Sequence, residues 1–599
     1  MPTPRMTEAD HKALLKLLEK HKGDRQAAAA ELKISTNTLT SRMRLAQEAM
    51  GKDYFAHLPK KQGGTKGLTE QQIDEAWAAY ADCGYVATEA AESLGLHIST
   101  FNNRIKAARR AGYKVPSLGT LDARKATRLD LPEPGKIKRY LLTSAQNNTR
   151  LHEKTWASLH ALAAHYGAQI MIATFTYIHQ QEGSAKRGTG KTQRGDPWYD
   201  PAIEPYVCDD YVQLAPGLVW CGHVNISPTA ENPLSGLDSY SGRASSIFPH
   251  PKVHMASIAT VKQDAAKFMW TTGAVTLRNY IQRKAGLKGE FHHVFGALLV
   301  EVDSDGHWWV RQVSAADRAG WIYDLDIVAK PDGTVTKHDG VEAIGFGDIH
   351  EDEIDPEVRK LAWAPGGMVD SLKPRFQVLH DIIDFGRRSH HTRRNRHKRF
   401  EYWVQGRESV MDEVEGVANF LAEASRPWSK LVVVRSNHDE HLERWLNETD
   451  WHDDMANAEL HLKLQSEYLR AIREGRKFNA LEWVCRKAFG VKDVRWLEGD
   501  ESFIVCRDAS GGIEMGLHGD KAAHGARGSL KAFARLGRKV IVFHSHHAGI
   551  YGPAWQGGTS SKRDLGYNVG PDAWSHTHII VHRNGKRQMC TMYAGKWRA

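Results

Sequence analysis

"LVVVRSNHDEH" (residues 431–441) decides how the C-terminal half of the chain is read. Four consecutive apolar residues, three of them β-branched, suit a strand buried on both faces, as in the interior of a mainly parallel sheet. The run stops on Ser436-Asn437-His438-Asp439, so an amide, an imidazole and a carboxylate stand at the tip of a buried strand. Desolvating such groups is costly unless something binds them, and in open α/β sheets ligands gather at the carboxyl ends of strands.

The same arrangement recurs along the chain. "VEAIGFGDIHEDEID" (341–355) puts Asp348 and His350 just past an apolar segment, two apart on an extended chain and so on one face. "FQVLHDIIDF" (376–385) offers Asp381 and Asp384, "GIEMGLHGDKAAHG" (512–525) offers His518, and "RKVIVFHSHHAG" (538–549) offers His544 and His546. Five strand ends aimed at one point would form a nitrogen and oxygen cage for two cations. With neither thiolates nor an all-oxygen donor set, Mn²⁺, Fe²⁺ or Zn²⁺ suits it better than Ca²⁺.

Bulk properties bound the rest. At 599 residues the chain exceeds one core, so several domains are expected. Its 41% hydrophobic and 25% charged residues are globular in character, and no apolar run approaches the roughly 20 residues that cross a bilayer. No membrane association is expected, and the absence of a signal pattern in residues 1–20 points to the cytoplasm. Cys83, Cys208, Cys221, Cys485, Cys506 and Cys590 include no C-x-x-C pair, which argues against a thiolate zinc site and a disulfide framework. A net charge of +10 favours a polyanionic partner, and the 32 histidines supply the commonest metal ligand.

The N-terminus is a duplication. Placing "ELKISTNTLTSRMR" (31–44) over "SLGLHISTFNNRIK" (93–106) aligns Leu32 with Leu94, Ile34 with Leu96, Thr38 with Thr100, Leu39 with Phe101 and Arg42 with Arg104, at a constant offset of 62. Each copy opens on a threonine N-cap signal, "TEAD" or "TEQQ", continues through an alanine-rich helix and a short turn, and ends in a polar, basic helix. The pattern resembles helix-turn-helix DNA-binding domains; small three-helix interaction modules are the alternative. The residues expected to meet DNA are Asn37, Thr40, Arg42 and Arg44 in the first copy and Asn102, Asn103, Arg104 and Lys106 in the second. Residues 51–67 and 116–136 read as linkers.

From Lys138 the order strand, helix, strand predicts a βαβ start, and "FGALLVEV" and "HWWVRQV" flank "DSDG" as a hairpin. Gly188-Thr189-Gly190-Lys191-Thr192 imitates a phosphate loop but lacks the earlier glycine, where Ala185 stands, and the following helix, so it reads as a basic loop near nucleic acid. The expected organisation is helix-turn-helix domains at 1–50 and 66–114, a linker at 115–137, an α+β companion domain at 138–340 and an α/β domain at 341–599. The segment 451–490 reads as two inserted helices, a cap or an element for forming homo-oligomers.

The ordered set D-x-H, D-x-x-D, N-H-D, H-G and H-x-H resembles the calcineurin-like metallophosphoesterase superfamily. That resemblance implies an α/β sandwich of two β-sheets flanked by helices over residues 340–599. It also implies one ion on Asp348, His350 and His546, a second on Asn437, His518 and His544, and Asp381 bridging them. His438 would be the acid at the leaving group, oriented by Asp439. Two divalent ions are implied, Mn²⁺ first, with Fe²⁺, Zn²⁺ or Mg²⁺ as alternatives. The chain departs from the family where glycine usually precedes three motifs: His380, Ser436 and Phe543 stand there instead. "WSHTHIIVH" (574–582) supplies a rival pair, His576 and His578, which lacks a directly preceding apolar strand and so ranks second.

"FGRRSHHTRRNRHKRF" (385–400) follows the bridging aspartate, and Arg387, Arg388, Arg393 and Arg394 are expected along a phosphodiester backbone. "LLTSAQNNTRLHEKTWASL", "TTGAVTLRNY" and "GYNVGPDAWSHTH" are similar to phage-encoded phosphoesterases, including the DNA-degrading first-step-transfer nucleases of some tailed phages. The expectation is a metal-dependent DNA phosphodiesterase in the host bacterial cytoplasm. Its alternatives are a phosphomonoesterase or nucleotide phosphodiesterase, and a DNA-binding regulator on an inactive phosphoesterase fold.

Overall fold

The computed structural model describes residues 7–58, 68–83, 87–113, 127–177, 198–262, 264–509 and 511–599. The Gly188–Thr192 loop and residues 59–67 and 114–126 of the expected linkers lie outside this set. The chain divides into two compact units, residues 1–120 and 121–599.

The first unit holds two helical triplets in which the sequence repeat becomes a packing repeat. Helices Glu8–Lys20, Arg25–Glu31 and Thr36–Met50 are matched by Glu70–Asp82, Ala87–Ser93 and Ile98–Arg110. Thr7 and Thr69 each close a capping box, with Asp10 and Gln72 as the reciprocal partners. Leu14, Leu18, Ala28, Leu39 and Met43 are buried in the first copy, and Ala76, Tyr80, Ala90, Phe101 and Ile105, each 62 positions on, in the second. Small alanines at Ala28 and Ala90 let the second helix lie close to its neighbours. The expected linker from Gly51 is in part structured: Phe55 is buried in the first copy's core, with Tyr54 packed beside it. Aromatic anchors override the linker composition there.

The second unit is built from sheets. Its six-stranded sheet runs in the order Val494–Trp496, Lys430–Val434, Phe376–His380, Ala343–Phe346, Thr577–Val581, Arg587–Thr591. The first four strands are mutually parallel and the last two antiparallel. Alternation assigns each residue of the quoted strand to a layer. Leu431 and Val433 join a core with helices Pro356–Trp363 and Val410–Ala424, while Val432 and Val434 join a core shared with Ile541, Phe543 and Trp555 of a second sheet. Helices thus cover one face of the six-stranded sheet and another sheet covers the other. Helices Ala458–Arg473 and Ala480–Ala488 fulfil the expected pair in 451–490, but Leu464, Leu481 and Val484 pack into the helix-side core.

The companion region begins as expected. Strands Ile137–Gln146 and Gln169–Phe175 are parallel across helix Glu153–Tyr166, and Gly296–Asp303 pairs antiparallel with Trp308–Ser314. The expected boundary at 340/341 does not separate the sheets, however. The second sheet has eleven strands, and His254–Ile258 from the companion region pairs antiparallel with Gly549–Tyr551, Met255 opposite Ile550. Thr127–Arg128, expected in a linker, forms one of its edges beside Tyr211–Ala215. Alternating apolar patterns identify strands but carry no label for their partners, which is why this continuity was invisible in the sequence.

Candidate metal centre

Three adjacent parallel strands of the six-stranded sheet end level with one another, Phe346 opposite Leu379 and Leu379 opposite Val433. Asp348, Asp381 and Asn437 follow these ends. From the facing sheet, Ile513–Glu514 leads to His518, and Lys539–Val542 leads to His544 and His546. The chain leaves extended geometry where these residues sit. His350, Asp381, His544 and His546 have φ of 44°, 46°, 73° and 58°, conformations that cost of order 1–3 kcal/mol each in a residue with a side chain and that cluster at functional sites. This corrects the expectation that Asp348 and His350 share a strand face: the left-handed turn at His350 brings them together.

Asp381 is the hub. Its Oδ2 lies 3.1 Å from His518 Nε2 and 3.7 Å from His350 Nε2, and its Oδ1 accepts the His438 backbone N–H at 3.4 Å. His350 Nε2 faces His546 Nε2 at 3.3 Å, and Asp348 Oδ2 lies 3.2 Å from His546 Nε2. Ligating atoms of His350, Asp381 and His546 form one group within 4.8 Å, and those of Asp381, His518 and His544 a second. All are buried except His544, which is partly exposed.

The donor set fits divalent cations. Asn437 Oδ1 is buried without a hydrogen-bond partner among the described residues, and Asp348 Oδ2 and His518 Nε2, though close to His546 and Asp381, make no well-aligned hydrogen bond, whereas buried polar atoms are ordinarily satisfied. Two imidazole nitrogens and two carboxylates converge with no donor aligned between them, which suits a cation. Against the pull of burial, Asp384 and Asp381 raise His350 to about 9, and Asp381 and Asp348 raise His518 to about 9. Burial opposes ionisation of Asp381, yet His518 and His438 hold its carboxyl well below the usual range. Burial, then the neighbouring His518, lowers His544 to about 4.

Over this cluster opens a cleft of about 1,360 Å³, lined by Asp381, Asn437, His438 and His544, with Lys398, Arg444 and Arg527 also on its walls. Against this geometry the comparisons with known proteins can be set. Residues 5–44 match a family model described as "Bacterial regulatory protein, Fis family", which covers the first helical triplet. Protein A1 of Escherichia phage T5 is 36% identical over 474 residues, spanning 77% of this chain and 83% of that protein. The chain belongs to the protein A1 family.

In this member of the A1 family the expected ligands Asp348, His350, Asp381, Asn437, His518, His544 and His546 meet at one place. His576 does not join them: its Nε2 bonds the Ser561 carbonyl at 3.0 Å, and His578 is buried against Phe346. The orientation expected for His438 requires correction. Its Nδ1 donates to the Asp384 carbonyl at 2.7 Å, with the Asp384 carboxylate 3.7 Å away. Asp439 instead accepts the Ser436 backbone N–H at 3.2 Å and closes the turn after the strand; burial, with the nearby Asp381, pushes its carboxyl up to about 7. The second aspartate of D-x-x-D was the available signal for this role.

Two of the arginines expected along DNA are also reassigned. Arg387 is buried against Asp352 and Glu413, and Arg388 against Asp454 and Glu408, because acidic side chains from neighbouring loops surround them. Arg393 pairs with Glu448, and Arg394 is exposed. The same segment reaches the cleft through His390, Thr392, Asn395 and Lys398. In the helical triplets Asn37, Thr40, Arg44, Asn102, Asn103 and Lys106 are exposed, and Arg42 is half-buried. Arg104, 13% exposed, lies 3.6 Å from Glu75 of its own triplet and ties helices together.

Two of the three residues that stand for glycine, His380 and Phe543, are accommodated by packing on each other. Phe543 packs on His380 with ring centroids 4.4 Å apart, and its ring fills space left by Gly345, Gly347 and Gly557. A Cβ on Gly557 would stand 2.1 Å from Phe543 Cε1.

Proposed function

We propose that the chain is a metal-dependent phosphodiesterase acting on DNA, on a metallophosphoesterase-type sandwich, recruited by its N-terminal helix-turn-helix pair. One observation carries the reading: four histidines, scattered over about 200 positions, gather with Asp381 in two groups that share it, with Asp348 3.2 Å from His546 in the first. The helix-covered six-stranded sheet facing a second sheet supports the fold assignment. The Fis-type match supports DNA as partner, and the phage relative supports a phage-encoded protein; the enzyme would work in the host bacterial cytoplasm.

Asp348, His350, Asp381 and His546 would hold one divalent ion, and Asp381, Asn437, His518 and His544 a second, with Mn²⁺ the best match to mixed imidazole and carboxylate donors. Such a pair, when bound, supplies a nucleophilic water at neutral pH and counters charge on the phosphoryl oxygens. The protein's own contribution is positional. The Asp384 carbonyl fixes the Nδ1–H tautomer of His438, leaving Nε2 to take up a proton and return it to the departing oxygen. Arg527, with no carboxylate partner among the described residues, supplies positive charge along the cleft for a phosphodiester backbone, while Lys398 and Arg444 on the same walls are paired with Glu401 and Glu448.

The test is hydrolysis of linear and circular DNA and of bis(p-nitrophenyl) phosphate by the purified full chain with Mn²⁺, Mg²⁺, Zn²⁺ or EDTA. Metal-dependent cleavage of both DNA forms or either one supports the reading. Hydrolysis of the small ester without cleavage of any DNA would favour a nucleotide phosphodiesterase, and DNA binding without hydrolysis of either substrate would favour a regulator.

A further inference from the structure

Beside the metal centre lies a second cavity, of about 850 Å³, within the roughly 300–1,000 Å³ usual for a small-ligand site. Trp574 lines both cavities, and its ring packs on the candidate ligand His546 with centroids 4.1 Å apart. One side chain therefore separates the second cavity from the reacting centre. The cavity walls are aromatic. Trp270 and Trp308 meet edge to face at 5.9 Å, the Trp308 indole is fixed by a 3.2 Å bond to the Pro216 carbonyl, and Tyr593 stands 44% exposed at the margin. Trp309, 4% exposed, also lines it, and its indole N–H is buried without an acceptor among the described residues; the Arg563 Nε–H is in the same condition.

Charge decides what such a cavity takes. Asp238, Asp305 and Glu357 line it without an ion-pair partner among the described residues, while of the cations Arg243 is already paired with Asp264, Lys267 Nζ is bonded to the backbone carbonyls of Asp238 and Gly242, and Arg563 alone faces no carboxylate, so acidic groups are in excess. These carboxylates repel a phosphate chain. They accept N–H groups, and the vacant indole and guanidinium donors match carbonyl and ring-nitrogen acceptors. A flat aromatic ring edged with both donors and acceptors answers that description, and a base on an aromatic side chain is worth a stacking contact whatever its identity.

We infer that this cavity receives an unstacked nucleobase from the strand whose phosphodiester lies at the metal centre, so that single-stranded or locally opened DNA is the preferred substrate. The inference rests on the phosphodiesterase reading of the adjoining cleft. Phosphates stay on the metal-centre side of Trp574 and the base passes to the other, a base-flipping arrangement.

The experiment measures equilibrium binding of a labelled phosphorothioate thymidine tetramer, which resists hydrolysis, and of an abasic phosphorothioate tetramer, to the full chain with Mn²⁺. The expected result is binding of the thymidine tetramer roughly 10-fold tighter or more, with the difference reduced several-fold in Trp308→Ala and in Tyr593→Ala. Equal affinity for both tetramers, or a difference unchanged in the variants, overturns the inference. Should Trp308→Ala fail to fold, the partly exposed Tyr593→Ala decides. Absence of bis(p-nitrophenyl) phosphate hydrolysis with every metal would count against the phosphodiesterase reading, while the tetramer comparison still decides whether bases bind.

Discussion

Replacing Asp381 with asparagine removes one negative charge and leaves size and shape almost unchanged. The carboxylate stands 3.1 Å from His518 Nε2 and 3.7 Å from His350 Nε2, one nitrogen from each ligand group. A cation in either group is thus held within roughly 4 Å of it, where one unit charge at an effective dielectric of about 20 is worth about 4 kcal/mol. That corresponds to about a 10³-fold loss of affinity for each ion. Calorimetric titration of Mn²⁺ into the wild type and Asp381→Asn checks the binding, and bis(p-nitrophenyl) phosphate hydrolysis checks the consequence. Turnover is expected to fall by at least 10³-fold, while affinity for duplex DNA stays within a few-fold because the helix-turn-helix pair is untouched. A variant that still binds two ions with wild-type affinity and keeps a tenth of its activity would refute the bridging role.

Four other outcomes are expected. Asp384→Asn leaves the carbonyl that His438 bonds but removes the carboxylate charge 3.1 Å from the Nδ1 of the candidate ligand His350, and should lower turnover by about 10–100-fold, as loss of a supporting partner does, whereas Asp439→Asn should leave kcat within a few-fold; the opposite ranking would make Asp439 the more important support of the site. Gly557→Ala drives a Cβ into the Phe543 ring and should destabilise the second unit by about 1–3 kcal/mol, read as a lower Tm in calorimetry; an unchanged Tm would show that the ring has room to move. Removing residues 1–113 should weaken duplex DNA binding without changing hydrolysis of the small ester, and loss of that hydrolysis would contradict the division into two units. Asp324 and Glu301 are buried around Arg311, with Arg311 Nε 2.6 Å from Asp324, and despite burial this guanidinium holds both carboxyls below their ordinary values of 3.8 and 4.5. Their contribution is therefore complete above about pH 4.5 and disappears as pH falls through the lower folded values; Arg311→Met should flatten that acid limb in a pH series of unfolding midpoints.

The candidate site was legible because each ligand follows a strand whose apolar run is visible, and because strand tips in such sheets converge. What the sequence could not convey was side-chain company. Arg387 and Arg388 look like a DNA-facing run until Asp352, Glu413, Asp454 and Glu408 are seen to surround them, and those partners lie up to 66 positions away. His438 could be named as a proton carrier, but the choice between Asp384 and Asp439 turns on the path of a loop after a strand, which no periodicity reports. Trp574 was given no role of its own in the segments that contain it, and its place between two cavities depends on sheets that join late in the chain. The helical repeat was the most transparent element, because local caps and small residues specify short-range packing.

The pairing of His254–Ile258 with Gly549–Tyr551 has a practical corollary for anyone trimming this chain. A fragment starting at residue 341 keeps every candidate metal ligand but strips the neighbour from Gly549–Tyr551, uncovering a row of amide and carbonyl groups with apolar Ile550 in its middle. Open ladders of that kind recruit other chains, so the isolated half would clump, and the shortest well-behaved piece that carries the candidate metal centre begins near residue 127.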